Sequence, residues 1–237
     1  MMPAMKKKCR ALADEITSAL RALGRGSRQG HRPSAQADFG VYTADLRAVV
    51  RDFKARLKEE DGETVQEVGR HLLAEKVTEC RQVAYELIAG HPGARELLDQ
   101  ARVETLGRGL DNWCCVDNFC YCISGPAWRD GRIGDAVIER WAKSRDLWWR
   151  RAAVVSTVPL NTKARGGRGD AKRTLGICRA VVRDKEITVQ KALSWALRQL
   201  VPWDREAVEA FLVEHEEGLS SLVKREVKRK LQTGKKA

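Results

Sequence analysis

The sequence predicts an all-α protein, organised as an α-solenoid of tandem helical repeats. Three observations predict it. Apolar residues recur at helical spacing along nearly the whole chain, and no segment shows the period-two alternation of strands. Short turns separate the helical pieces. Paired helices return every roughly 30 to 45 residues, the period of helical solenoids. The repeats are not alike in letters, so a compact non-repeat bundle also meets these observations. We expect one domain over residues 1–237, with 24–38 as a flexible loop or arm and 232–237 as a basic tail.

The elements follow in order. Met5 to Leu23 reads as a helix with Leu12, Ile16, Leu20 and Leu23 on one face. From Gly24 to Asp38 the composition turns to Gly, Ser, Arg, Gln and Pro, which marks a loop. Its Arg25, Arg28, His31 and Arg32 suit either phosphate or solvent. Thr43 is expected to cap a helix striped by Leu46, Val49, Val50, Phe53 and Leu57. Asp61-Gly62 ends it. Thr64 and Glu67 form a capping-box pattern for a helix carrying Val65, Val68 and Leu72. Val77, Cys80, Ala84, Leu87 and Ile88 mark the next, broken by Gly90-His91-Pro92-Gly93. Leu97, Leu98, Val103 and Leu106 are assigned to one further helix.

Between Gly109 and Gly125-Pro126 lies Asp111-Asn112-Trp113-Cys114-Cys115-Val116-Asp117-Asn118-Phe119, read as one short helix that stops at Gly125-Pro126. Beyond it, Ile133, Val137, Ile138 and Trp141 mark a helix. Asp146 caps one from Leu147 to Val158, ahead of Pro159. A loop, Asn161 to Asp170, carries Lys163, Arg165 and Arg168 among glycines. Leu175, Ile177, Cys178, Val181 and Val182 give another helix. Ile187 to Val201 is next, closed by Pro202. Asp204 caps a helix through Val208, Phe211 and Leu212, and the last helix runs from Ser220 to about Leu231.

Composition bounds the function. The formal charge is +12, from 44 Lys and Arg against 32 Asp and Glu, which favours a polyanionic partner, nucleic acid before anionic membrane. No apolar run reaches the roughly 18 residues of a membrane span. Lys6, Lys7 and Lys8 precede no apolar stretch of signal-peptide type, so secretion is not expected. A cytoplasmic protein, nucleoid-associated if bacterial, is expected, acting as a monomer. Of seven cysteines, four crowd into Cys114, Cys115, Cys120 and Cys122. That spacing suits no zinc or iron–sulfur site, and the thiols read as small buried apolar groups in a reduced compartment. No metal or other cofactor is expected.

Three helices place aromatic and charged residues in their interiors. Trp113 and Asp117 are four apart and share a face. By itself this pair suits a core tryptophan beside a solvated aspartate, or a site for something cationic. The second helix carries Trp148-Trp149-Arg150-Arg151, and the third carries Lys191, Trp195 and Arg198. They recur about 40 residues apart, so equivalent faces of a solenoid would bring them to one concave basic groove. Trp141, Trp148 and Trp149 suit core packing or the groove wall. The cations of the Lys163–Arg168 loop and of the tail from Lys224 to Lys236 suit solvent or DNA phosphate.

The strings "DNWCCVDNF", "SRDLWWRRAAVVS" and "VQKALSWALRQL", in this order, resemble the AlkD-like DNA alkylation repair glycosylases. "FGVYTADLRAVVRDF" and "SSLVKREVKRKL" extend the resemblance over Phe39 to Leu231. It implies a HEAT-like helical solenoid that removes alkylated bases from duplex DNA. It implies that Asp117 is the catalytic aspartate, that Trp113 and Trp195 are active-site tryptophans, and that Arg151 contacts DNA near the lesion. Beside these, Arg150, Trp149, Lys163, Arg165, Arg168, Lys191 and Arg198 are candidate DNA contacts. Two features depart from the family pattern: Asn112 replaces a frequent second aromatic, and Gln29 to Asp38 lacks the usual Tyr- and Lys-bearing run.

The implied chemistry is physically coherent. An N3- or N7-alkylated purine already carries positive charge and leaves readily. Cationic character then moves to the deoxyribose, where a carboxylate stabilises it and positions water. Indole faces add about 0.5–2 kcal/mol per contact with a cation. No lysine nucleophile is implied, so hydrolysis without lyase chemistry is expected. The competing class is a non-catalytic helical scaffold that binds damaged or branched DNA. A protein-binding helical array is disfavoured by the charge.

Overall fold

The structure, a computed structural model, describes residues 3–27 and 34–235. Arg28, His31, Arg32 and Lys236 lie outside the described residues. Among the described residues the chain is all-α and solenoid-like in its helix pairing, with no strand beyond an isolated bridge between Ala37 and Val77. It divides into two compact units, Met1–Ile123 and Ser124–Ala237.

The first unit contains α1 (Pro3–Ala22), α2 (Thr43–Arg56), α3 (Gly62–Ala74), α4 (Thr78–Gly90), α5 (Pro92–Glu96), α6 (Gln100–Leu106) and α7 (Trp113–Phe119). α3 packs on α1 and α4, and α4 also receives α2 and α7. Neighbours in space are thus near neighbours in sequence, as stacked helix pairs require. Ile16, Leu20, Val65, Val68, Leu72, Leu87 and Ile88 fill the core between them.

Three local readings are corrected here. Thr43 is already helical, and Tyr42 occupies the cap position without a side-chain bond. At α3 the cap is Asp61, whose carboxylate accepts from the Thr64 N–H at 2.7 Å and its hydroxyl at 3.0 Å. A charged acceptor beside the positive end of the helix displaces Thr64 from that role. Glu67, freed from the capping box, pairs with Arg70. The helix expected through Leu97–Leu106 is shorter: Leu97 and Leu98 lie between α5 and α6, and Asp99 starts α6 by accepting from the Arg102 N–H at 2.8 Å.

The second unit contains α8 (Gly125–Arg129), α9 (Asp135–Ala142), α10 (Leu147–Val155), α11 (Ala171–Ala180), α12 (Ile187–Leu200), α13 (Arg205–Glu214) and α14 (Ser221–Thr233). α10 packs on α9 and α12, and α12 on α11 and α14. Ala152, Ala153, Ala192 and Ala196 are fully buried, and such small side chains permit the close approach of α10 and α12. Asp146 and Asp204 cap their helices as expected, and Ser220 caps α14. α10 ends at Val155, and Pro159 sits inside a 3-10 turn, Val158–Asn161.

Gly125-Pro126 does not stop the helix before it. α7 runs through a π-helical turn, Cys120–Ser124, straight into α8. A proline lacks the N–H and crowds the carbonyl four residues back; the wider π turn ahead of Pro126 relieves both constraints. No helix among the described residues is long and apolar enough to cross a membrane.

Candidate active site

α7 is held at its entrance by a buried polar network. Asn112 caps it, accepting from the Cys115 N–H at 2.9 Å. Asp111 accepts from the Ser34 hydroxyl at 2.8 Å, the Ala35 N–H at 2.5 Å and the Gln36 amide at 3.0 Å. Gln36, only 4% exposed, also donates to the Gly109 carbonyl at 3.0 Å. Its amide oxygen accepts from Arg81 Nε at 3.0 Å. Arg81 is itself buried and donates to the Tyr85 hydroxyl at 2.8 Å and the Arg108 carbonyl at 3.1 Å. A buried network with its members satisfied fixes one geometry. The Ser34–Asp38 part of the expected flexible arm is therefore docked. Ala37 reinforces it, donating to the Lys76 carbonyl at 2.8 Å and accepting from the Thr78 N–H at 2.9 Å.

The two faces of α7 differ sharply. Cys115, Val116 and Phe119 are fully buried, with Phe119 tilted against Tyr85 at 5.5 Å between ring centroids. Trp113 is 61% exposed, and Asp117, one turn on, is half-buried. Trp113 is thus not a core tryptophan. Leaving it outside forgoes much of the roughly 1.5–3 kcal/mol that burying a large apolar side chain contributes. The π turn that follows is a feature often found beside functional sites.

Burial disfavours the thiolate form of several cysteines. All seven are free. Burial pushes the Cys114 thiol up to about 12, and Cys80 and Cys178 up to about 11 and about 12. Burial also raises Cys115. Cys114 accepts from the Gln82 amide at 2.7 Å. Among the described residues no cluster of His, Cys, Asp or Glu is arranged to hold a metal.

In the second unit the helix-borne arginines are engaged inside the protein. Arg150 Nε lies 2.6 Å from the Asp184 carboxylate, and its Nη1 donates to the Ser144 and Arg145 carbonyls at 2.9 and 3.0 Å. Arg151 is 5% exposed and donates to the Thr188 carbonyl at the start of α12. Both arginines therefore tie α10 to the chain entering α12. Arg198 pairs with Glu226 at 3.4 Å and donates to the Ser194 carbonyl at 3.2 Å. Trp149 is half-buried and packs at 4.6 Å on the buried Trp141. Trp195 is half-buried, and Lys191, one turn before it, is exposed. Lys163, Arg165 and Arg168 are exposed on their loop.

The structure thus pairs Trp113 with Asp117 in the first unit, and ties α10 to α12 in the second. Sequence reasoning missed Gln36, Arg81, Asp184 and Glu226. Nothing in the spacing of these residues signals their partners, several of which lie 32 to 75 positions away.

The formal charge of +12 suits a polyanionic partner. The chain belongs to the DNA alkylation repair enzyme family, whose profile matches residues 16–231. A solved structure, "Predicted DNA alkylation repair enzyme from Enterococcus faecalis", is similar to it with a TM-score of 0.67, covering 98% of this chain and 96% of that one. At 16% identity that similarity speaks for the fold. No curated protein matches the chain.

Proposed function

We propose that the chain is a monofunctional DNA glycosylase. It hydrolyses the N-glycosidic bond of cationic alkylated purines, such as 7-methylguanine and 3-methyladenine, in duplex DNA. Family membership supports the reading. The observation that carries it is Trp113, kept 61% exposed one turn from Asp117 on a helix anchored by a buried network. Folding stability gives no reason to hold an indole there.

In this reading the alkylated base departs as a neutral leaving group, taking the glycosidic electron pair. Asp117 stabilises the cationic sugar electrostatically and orients the water that adds to it. The face of Trp113 stabilises the same charge. Arg150, Arg151 and Arg198 act as positioning residues that set α10 and α12. Lys191 and Trp149 meet the DNA backbone. The enzyme works as a monomer without a cofactor.

The test is incubation with duplex carrying 7-methylguanine, with free base scored by chromatography. Enzyme-dependent release supports the reading. Binding to damaged duplex without release would favour a scaffold.

A further inference from the structure

The loop from Thr162 to Gly169 lies between α10 and α11 and carries none of the residues assigned to the proposed chemistry. It presents Lys163, Arg165 and Arg168 outward within six residues and contains no acidic residue. Three cations so close together repel one another, so an unsupported loop would splay. This one is built not to.

Its base is Asn161, 1% exposed. The Asn161 amide donates to the Thr157 carbonyl at 3.1 Å and the Thr174 hydroxyl at 2.8 Å, and its oxygen accepts from the Asp170 N–H at 2.9 Å. The Asn161 backbone carbonyl accepts from Trp203 Nε1 at 2.8 Å and the Gln199 amide at 3.1 Å. The loop is also closed on itself. Gly167 donates to the Thr162 carbonyl at 3.0 Å, and Gly169 to the Leu160 carbonyl at 3.1 Å. A Cβ at Gly167 would fall 2.4 Å from the Pro159 carbonyl oxygen, so only glycine lets the chain pass this close. Gly169, at φ +84°, lies against the Trp203 ring, and Lys163 Nζ is 5.2 Å from the centroid of that ring. Arg129 donates to the Arg165 carbonyl from outside the loop.

We propose that this loop is a preformed clamp for the DNA phosphate backbone, separate from the excision chemistry. A rigid loop with three outward cations pays little ordering entropy when it meets a regular row of phosphates. The inference rests on the duplex-DNA reading above and adds to it a backbone contact site outside the helices.

Two measurements test it. The first is fluorescence anisotropy of undamaged duplex between 50 and 200 mM salt, with wild type, with Lys163→Gln/Arg165→Gln/Arg168→Gln, and with Arg225→Gln/Lys228→Gln/Arg229→Gln. The last set removes the same charge from exposed positions of α14. Each lost phosphate contact flattens the log–log salt slope by about 0.9, so the loop variant should be flatter by about 2 to 3 and the α14 variant by less than about 1. An unchanged slope in the loop variant, or equal flattening in both, overturns the proposal. The second is hydrogen exchange of the Gly167 and Gly169 amides. Protection in the free protein is expected; protection that appears only with duplex contradicts a preformed clamp. Neither measurement depends on base release, so a protein that excises nothing would sink the glycosylase reading and leave this one standing.

Discussion

Two helices carry the sequence features that first draw notice, α7 in the first unit and α10 in the second, and they treat polar side chains in opposite ways. Around α7 the buried polar groups lie before the helix: Gln36, Arg81 and Asp111 hold its entrance, and the helix then presents Trp113 outward. On α10 the polar groups of the helix itself turn inward, Arg150 to Asp184 and Arg151 to Thr188. The loop that follows α10 keeps Lys163, Arg165 and Arg168 exposed. The difference separates positioning from contact. A guanidinium engaged with a carboxylate or carbonyl sets helix geometry, whereas a residue held outward at a cost in burial is kept for a ligand. Trp113 against Trp128, 61% against 1% exposed, makes the same point for one residue type.

Substitutions can break this contrast, beginning with the largest effect. Asp117→Asn keeps size and removes charge; it should slow excision by on the order of 10²-fold or more. Affinity for damaged duplex should change far less, because phosphate contacts dominate it. Arg150→Ala strands the Asp184 carboxylate and should destabilise the protein by about 3 kcal/mol in urea unfolding. If its cost is near zero, Arg150 is not a positioning group. Gln36→Ala leaves Arg81 and Asp111 each short of a partner and should cost about 1–3 kcal/mol. It should also lower excision, because α7 loses its fixed entrance, while the salt dependence of binding stays as in the wild type.

Trp113→Phe sharpens the comparison from the other side. The residue lies largely outside the core, so stability should stay within about 0.5 kcal/mol of the wild type. Excision should fall several-fold, since indole is the better face for a cation. A stability loss without a change in excision would return Trp113 to a structural role. The smallest effect concerns acid. The Trp128 indole N–H bonded to Asp135, with Arg173 beside it, holds that carboxyl below its ordinary value of 3.8. Its contribution is therefore present above pH 3.8 and lost as pH falls through the lower native value. Asp135→Asn should show a shallower loss of stability in that acid window, followed by circular dichroism.

Much of this was legible in the sequence, and the gaps have physical reasons. Helical periodicity reports burial directly, so the stripes of α2 and α4 were readable, and the caps Asp146 and Asp204 with them. The Asp61 cap was missed because Asp61-Gly62 has the pattern of an ending as well as of a beginning. The continuation through Pro126 was missed because a π turn leaves no compositional mark. Trp113 and Asp117 were legible as a pair on one face, but exposure was not, because a tryptophan at helical spacing suits core and site equally. The roles of Arg150 and Arg151 were least legible, since their partners Asp184 and Thr188 come from a distant part of the chain.

The central claim is that the outward indole and carboxylate of α7 serve removal of a cationic base. Single-turnover incubation of wild type and Asp117→Asn with duplex carrying 7-methylguanine, with free base quantified and binding followed in parallel, tests it most directly. The account predicts base release by the wild type, release slowed on the order of 10²-fold or more in the variant, and similar binding by both. Equal release by the two proteins, or binding by the wild type with no release, would contradict it.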